Sequence, residues 1–176
     1  MKKKLLILPL LFFFLILSIF FYLLIIDRNP SEVPSNLLNK NTPIFQAKSL
    51  FKSKKFVSSK ELKDETILVN FFATWCKPCH DEHPYIKRFS KEEEIKVIGI
   101  NYKDNSEKTI KWLIDLGNPY HDVLVDKNGK IAIDWGVYGI PETFIINSKG
   151  IIKYRHVGPI TNKVYKKINL IINQNE

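Results

Sequence analysis

Residues 1–26 contain no aspartate or glutamate, and the whole 176-residue chain contains only two cysteines, Cys76 and Cys79. Two thiols cannot supply a four-cysteine zinc site. Neither lies near the N-terminus, so no cysteine is placed there for lipid attachment. Internal repeats are absent too. The chain carries 27 basic and 18 acidic residues, net +9, but the bases are scattered and form no arginine-rich stripe. Nucleic-acid binding is therefore a poor reading. Lys2, Lys3 and Lys4 supply three of those charges, leaving 24 basic residues against 18 acidic ones, or +6, elsewhere. A modestly basic face would suit acidic partners or anionic lipid, and an ordinary solvated surface explains it as well.

What the N-terminus has instead of acids is oil. Residues 5–26 are 22 nearly all apolar positions, interrupted by Pro9, Ser18 and Tyr22. As a helix the run would be about 33 Å long, against a bilayer core of about 30 Å. A cleaved secretory signal has a shorter apolar region of about 7–15 residues and an Ala-x-Ala-like site. Here Asp27-Arg28-Asn29-Pro30 follows, without such a site. Residues 1–26 are read as a short cytoplasmic N-terminus and an uncleaved single-pass anchor. The three lysines before it place the N-terminus in the cytoplasm by the positive-inside tendency. The rest then lies across the cytoplasmic (inner) membrane, in a periplasm. Residues 27–42 are polar, contain Pro30 and Pro34, and are expected to form a tether. Residues 43–176 are expected to be one folded domain.

The chain is organised around Phe71-Phe72-Ala73-Thr74-Trp75-Cys76-Lys77-Pro78-Cys79. An apolar, β-rich run, residues 66–72, leads into the cysteines, and good helix formers follow to Lys91. At such a strand-to-helix junction Cys-x-x-Cys reads as a redox pair. Cys76 at the helix start faces unpaired N–H groups and the positive end of the dipole. Both favour the thiolate, which is the nucleophile of disulfide exchange. Cys79, one turn on and expected to be less exposed, would resolve the mixed disulfide. Pro78 suits a first helical turn, where a missing N–H costs nothing. His80 and His83 follow closely, so a Cys/His metal site stays open as an alternative.

Around this centre the pattern alternates. Residues 44–47 and 51–57 are expected to pair as a hairpin, and Ser58-Ser59-Lys60-Glu61 reads as a capping box. Strand 66–72, helix 77–90 (which Pro84 would kink) and strand 95–101 form a β–α–β unit, hence a parallel pair with a right-handed crossover. Helical spacing over 106–116 ends at Gly117. A strand over 122–125, a turn at 126–129 and a short helix over 130–135 follow. Strands 143–147 and 151–156 flank Ser148-Lys149-Gly150 as an antiparallel hairpin. Helix 161–173 closes the chain, with Val164, Ile168 and Ile171/Ile172 on one face. The fold class is α/β: a thioredoxin fold, with a central mixed sheet flanked by helices, an N-terminal extension and a central insert, preceded by one transmembrane helix.

Trp75-Cys76-Lys77-Pro78-Cys79 resembles the active site of the thioredoxin superfamily. The run Gly136-Val137-Tyr138-Gly139-Ile140-Pro141-Glu142-Thr143-Phe144 is similar to the fingerprint of the membrane-anchored thioredoxin-like proteins of cytochrome c maturation, the DsbE/CcmG family. Asn101-Tyr102-Lys103-Asp104 and Leu116-Gly117-Asn118-Pro119-Tyr120 match that family's insert, and the likeness runs from about residue 42 to the C-terminus. The resemblance implies that the Ile140–Pro141 bond is cis and lies against the dithiol, leaving the Ile140 backbone free to pair with an extended substrate. An edge strand starting at Pro141 is the plainer alternative. It implies a partly buried Glu82 beneath the cysteines, taking the Cys79 proton, with a surface helix residue as the alternative. Trp75 is expected to cover the dithiol or pack in the core, and Tyr138 to shape the groove. Glu142 is expected to add acidity there or to cap strand structure. His80 is expected to face solvent.

The implied activity is thiol–disulfide exchange with no cofactor beyond the Cys76–Cys79 pair and no metal. The implied substrate is apocytochrome c, through its Cys-x-x-Cys-His disulfide. The implied electron donor is a membrane thiol–disulfide transporter, and a haem-ligation complex is a further expected partner. A tethered reductase for a copper-site protein, a metal-binding chaperone and a non-catalytic docking subunit are the rival readings.

Overall fold

A computed structural model describes residues 7–25, 36–52, 55–93 and 95–173 of the chain. They fall into two compact units, divided after Pro30. In the first, helix α1 (Ile7–Ile25) has 19 residues and no charged side chain. Its 18-residue window Ile7–Leu24 has a mean hydropathy of 2.8 and is long and apolar enough to cross a membrane. Pro9 falls in its first turn, where helical N–H groups have no intrahelical acceptor anyway. Lys2 to Lys4, the ends of the apolar run and most of the expected tether lie outside the described residues.

The second unit is built on a five-stranded sheet. Its strands are β3 (Ile67–Phe72), β4 (Lys96–Tyr102), β5 (Asp122–Asp126), β6 (Glu142–Ile146) and β7 (Ile152–Val157), in the order β5-β4-β3-β6-β7. Strands β3, β4 and β5 run parallel, while β6 and β7 are antiparallel to their neighbours. The parallel part requires crossovers. These are α2 (Lys77–Lys91) and α3 (Ser106–Leu116). The short α4 (Lys130–Asp134) and α5 (Asn162–Asn173) complete the unit. A small hairpin, β1 (Gln46–Lys48) with β2 (Phe56–Ser58), precedes the sheet; β1 starts two residues and β2 five residues later than the sequence suggests. The Ser58–Glu61 capping box is present, opening a single 3-10 turn.

Every residue of β3 is buried. Strand alternation sends its side chains to two cores. Leu68 and Phe72 join Ile86, Phe89, Leu113, Ile168 and both cysteines on one side. Ile67, Val69 and Phe71 join Ile100, Trp135 and Phe144 on the other. The sequence places a tether through residue 42, and the structure corrects this. Asn39 N–H donates to Ile152 O at 2.8 Å and Thr42 N–H to Gly150 O at 3.0 Å, while Asn41 bridges to Ile151. Residues 39–42 therefore cover the start of β7 as part of the fold. Their polarity concealed this, because backbone pairing makes no demand on side-chain hydropathy. Pro84 sits within an unbroken α2.

Candidate active site

Cys76 is the N-cap of α2 and is joined to Cys79 by a disulfide with Cα atoms 5.3 Å apart. The Cys79 N–H donates to Cys76 Sγ at 3.2 Å, so a helix-terminal donor does face that sulfur. Ile140–Pro141 is the cis peptide bond, and the Ile140 carbonyl oxygen lies 3.6 Å from Cys76 Sγ. Ile140 also packs against the core cluster that holds both sulfurs. The expected asymmetry of exposure is not found: Cys76 is 3% and Cys79 2% exposed. In the oxidised pair the apolar core and the Ile140 loop enclose the first sulfur as fully as the second.

The loop before Cys76 is gripped from two sides. Asp104 accepts from Thr74 N–H at 2.6 Å and from the Thr74 hydroxyl at 3.0 Å. It also accepts from Asn105 N–H, Asn101 Nδ2 and Thr109 Oγ1. Burial pushes the Asp104 carboxyl upward, but the bonds from Thr74, Asn105 and Asn101 outweigh it and hold the group below its ordinary pKa. On the other side His80 Nε2 meets Thr74 O at 2.8 Å, while Trp112 Nε1–H donates to His80 Nδ1 at 3.2 Å. Since the indole can only donate, His80 carries its proton on Nε2. This corrects the expectation that His80 faces solvent: α3 brings Trp112 over it. His83 is likewise turned inward, with Nε2 2.9 Å from Gly117 O.

Trp75 neither enters the core nor is hidden. Its indole N–H donates to Lys103 O at 3.2 Å and its ring leans on Tyr102, leaving 59% exposed. Tyr138 is also exposed, with the Arg155 guanidinium 4.7 Å from its ring centroid. Glu142 is a correction to the expected substrate contact. It is fully buried, and Arg155 donates to its Oε2 from Nε at 2.8 Å and from Nη2 at 2.7 Å. Its Oε1 accepts from Tyr138 N–H at 2.8 Å. Burial raises its pKa, against the Tyr138 N–H and Arg155 bonds. With its oxygens so engaged, Glu142 ties down the Gly136–Pro141 loop.

Glu82 is buried, not a surface residue. One turn beyond Cys79 on α2, its Oε1 accepts from Asn70 Nδ2 at 2.8 Å and its Oε2 from Ile160 N–H at 2.9 Å. Burial pushes its pKa from 4.5 up to about 8, and the two donors oppose the rise. Asn70 comes from the middle of β3 and also meets Thr143 Oγ1 at 3.1 Å and Tyr120 OH at 2.8 Å. The Tyr120 ring stacks on Phe72 over Gly99, where a Cβ would come within 2.8 Å of Phe72 and 2.9 Å of Tyr120. A lone asparagine in an otherwise apolar strand was the readable signal for this cluster.

The arrangement is a closed dithiol pair at a helix N-terminus, against a cis-proline loop and above a buried acid. The sequence matches the Redoxin family over residues 38–169. The chain belongs to that family. It is 42% identical over 135 residues to the thiol:disulfide interchange protein CycY of Rhizobium leguminosarum, covering 77% of this chain and 73% of the relative. It is 42% identical over 139 residues to the thiol:disulfide interchange protein DsbE of Vibrio cholerae, covering 79% and 75%. With DsbE of Haemophilus influenzae the identity is 44% over 131 residues, covering 74% and 72%. The crystal structure of a DsbE from Chlorobium tepidum superposes with a TM-score of 0.69 at 20% identity, covering 79% of this chain and 98% of that one, and supports the fold. This Redoxin-family chain is thus a thiol–disulfide oxidoreductase of the DsbE type, with a thioredoxin-like fold.

Proposed function

We propose that this protein is a membrane-anchored periplasmic reductase of apocytochrome c, opening the Cys-x-x-Cys-His disulfide before haem attachment. The observation that carries the reading is the Cys76–Cys79 pair packed against the Ile140–Pro141 loop. Among the described residues the Ile140 N–H makes no hydrogen bond, which suits strand-like pairing with an extended substrate. The DsbE-type relatives and the fingerprint over residues 136–144 favour cytochrome c maturation. Helix α1 suits an anchor, with the N-terminus in the cytoplasm.

In the proposed cycle, reduced Cys76 attacks the substrate disulfide as a thiolate and one substrate thiol leaves. Cys79 gives its proton to Glu82 and attacks Cys76 Sγ, forming the intramolecular disulfide and releasing the second substrate thiol. The two substrate thiolates take up two protons from solvent, so the substrate gains two electrons and two protons, and the protein is left oxidised with the Cys79 proton on Glu82. No cofactor beyond the cysteine pair takes part. Re-reduction by a membrane thiol–disulfide transporter runs the steps in reverse: Cys79 departs as a thiolate and regains its proton from Glu82. Docking to a haem-ligation complex fits the same role.

The test is a trap. Cys79→Ala is expressed with its anchor, free thiols are quenched with acid, and the proteins disulfide-linked to Cys76 are identified. Apocytochrome c is expected to dominate. A copper-site protein alone, or a broad set of unrelated clients, would overturn the maturation role and leave the exchange chemistry standing.

A further inference from the structure

Glu82 changes charge in every turn of the proposed cycle, yet it is buried on all sides. A buried site built for a carboxylate would strand a donor when the acid is protonated, and each stranded polar group costs stability. The geometry resolves this. Ile160 N–H is a fixed donor to Oε2. The proton therefore comes and goes at Oε1, which faces Asn70 Nδ2 at 2.8 Å. The arrangement seen is the one expected of the oxidised protein above the Glu82 midpoint, where the group is a carboxylate, because a protonated Oε1 would set an O–H against an N–H.

The remaining partners of Asn70 are both hydroxyls. Thr143 Oγ1 lies 3.1 Å from Nδ2 and Tyr120 OH 2.8 Å from Oδ1. A hydroxyl donates or accepts as its neighbour requires. If the Asn70 amide turns over, Oδ1 accepts from the Glu82 acid and from Thr143, while Nδ2 donates to Tyr120. The Glu82 acid and the Thr143 hydroxyl then both have an acceptor in Oδ1, while the Tyr120 hydroxyl turns from donor to acceptor and gives up its own bond to Oδ1. We propose that Asn70, set between the Tyr120 and Thr143 hydroxyls, is a reversible amide bed that turns over as Glu82 gains or loses its proton. It is a positioning group: it touches neither sulfur and acts through Glu82. The inference rests on the reading that Glu82 exchanges a proton with Cys79.

The titratable surroundings leave Glu82 as the group that changes. From β5's approach, Tyr120 is held well above its ordinary pKa by burial and by the Glu82 charge, so its hydroxyl keeps its proton. On α2 the neighbours are Cys79 one turn back, which titrates only when reduced, and His83, whose pKa burial lowers. On the β7–α5 side is His156, also lowered by burial, with Nε2 3.3 Å from Pro159 O.

The experiment follows the Asn70 amide protons by NMR in the oxidised full chain in detergent, across the Glu82 titration. At low pH, nuclear Overhauser contacts from these protons to the Tyr120 ring are expected. As pH rises through the Glu82 midpoint they give way to contacts with Thr143. Contacts that stay unchanged across the titration overturn the proposal, and no variant is needed to see them. Removing the charge-assisted bond with Asn70→Ser is expected to move the pH midpoint of exchange up by about one unit. An unmoved midpoint in a folded Asn70→Ser protein also overturns it. Glu82→Gln separates the two levels. If its pH profile equals that of the parent, the proton role of Glu82 has failed. If its profile changes while the Asn70 contacts of the parent stay fixed across the titration, the bed alone has failed.

Discussion

Glu82→Gln is expected to make the oxidised protein more stable at neutral pH. Burial raises the Glu82 pKa from 4.5 to about 8. A folded pKa above the unfolded one means that protonation favours the fold. This stabilisation is complete below about pH 4.5 and is lost as pH rises toward 8. At pH 7 the unfolded chain has released the proton and the folded one holds it, at a cost of about 2.5 pH units, or about 3 kcal/mol. Glutamine has nearly the same shape, keeps an acceptor for Ile160 N–H and a polar group for Asn70, and does not titrate. The variant should therefore match the parent near pH 4 and exceed it by about 3 kcal/mol at pH 7, or about 6–12 °C in Tm for a chain of this size. Urea unfolding of both oxidised proteins at pH 4, 5.5, 7 and 8 measures the gap. A gap that does not widen with pH would refute the reasoning, because it would mean that Glu82 titrates alike in both states.

Arg155→Met should cost about 3–5 kcal/mol by leaving the Glu142 carboxylate buried without its cation, and adding Glu142→Gln should restore part of it; denaturant unfolding of the three variants checks this. Asp104 is held below its ordinary pKa, so its contribution is present above about pH 4 and is lost as pH falls through the folded value. Asp104→Asn should flatten that acid limb in a pH-stability series. Phe71, buried against Trp135 and Phe144 with ring centroids 5.6 and 5.7 Å away, should lose about 3–5 kcal/mol on truncation to alanine, read by thermal unfolding.

The elements were legible where hydrophobic period and punctuation agreed. Helix 106–116 matches residue for residue, since Asn105 caps one end and Gly117, at φ 84°, stops the other. Strand 66–72 and helix 77–90 each differ by one residue from β3 and α2. The site was legible only in part. The cysteines, the cis bond and a buried Glu82 could be expected from local motifs and from family likeness. The groups that give Glu82 its environment could not. Tyr120 reaches Asn70 across 50 residues of sequence, and Ile160 reaches Glu82 across 78; at the second acid, Arg155 reaches Glu142 across 13. Neither side chain carries a local signal, because an arginine in an exposed-looking strand and a tyrosine after a proline have many ordinary uses. His80 was misread for the same reason: helical spacing gives its direction on α2 but not that Trp112 lies there to receive it.

The half-buried Asp104 and the buried Glu142 divide by what they hold in place. Asp104 fixes Thr74, and the adjoining Lys103 carbonyl takes the Trp75 indole, which stays largely exposed. Glu142 fixes the backbone at Tyr138, whose ring stays exposed over Arg155. Each acid thus lies behind one aromatic of the rim, on either side of the cysteine and proline loops. Neither acid has an oxygen left for a client. With both sulfurs buried, a client must engage that rim and the Ile140 edge before it reaches Cys76. A rim set in advance loses little entropy on binding and rewards a client of matching shape. Weakening Asp104 or Glu142 should then relax client choice before it slows exchange with a small-molecule disulfide, which needs no rim. Loss of Glu82 should do the reverse.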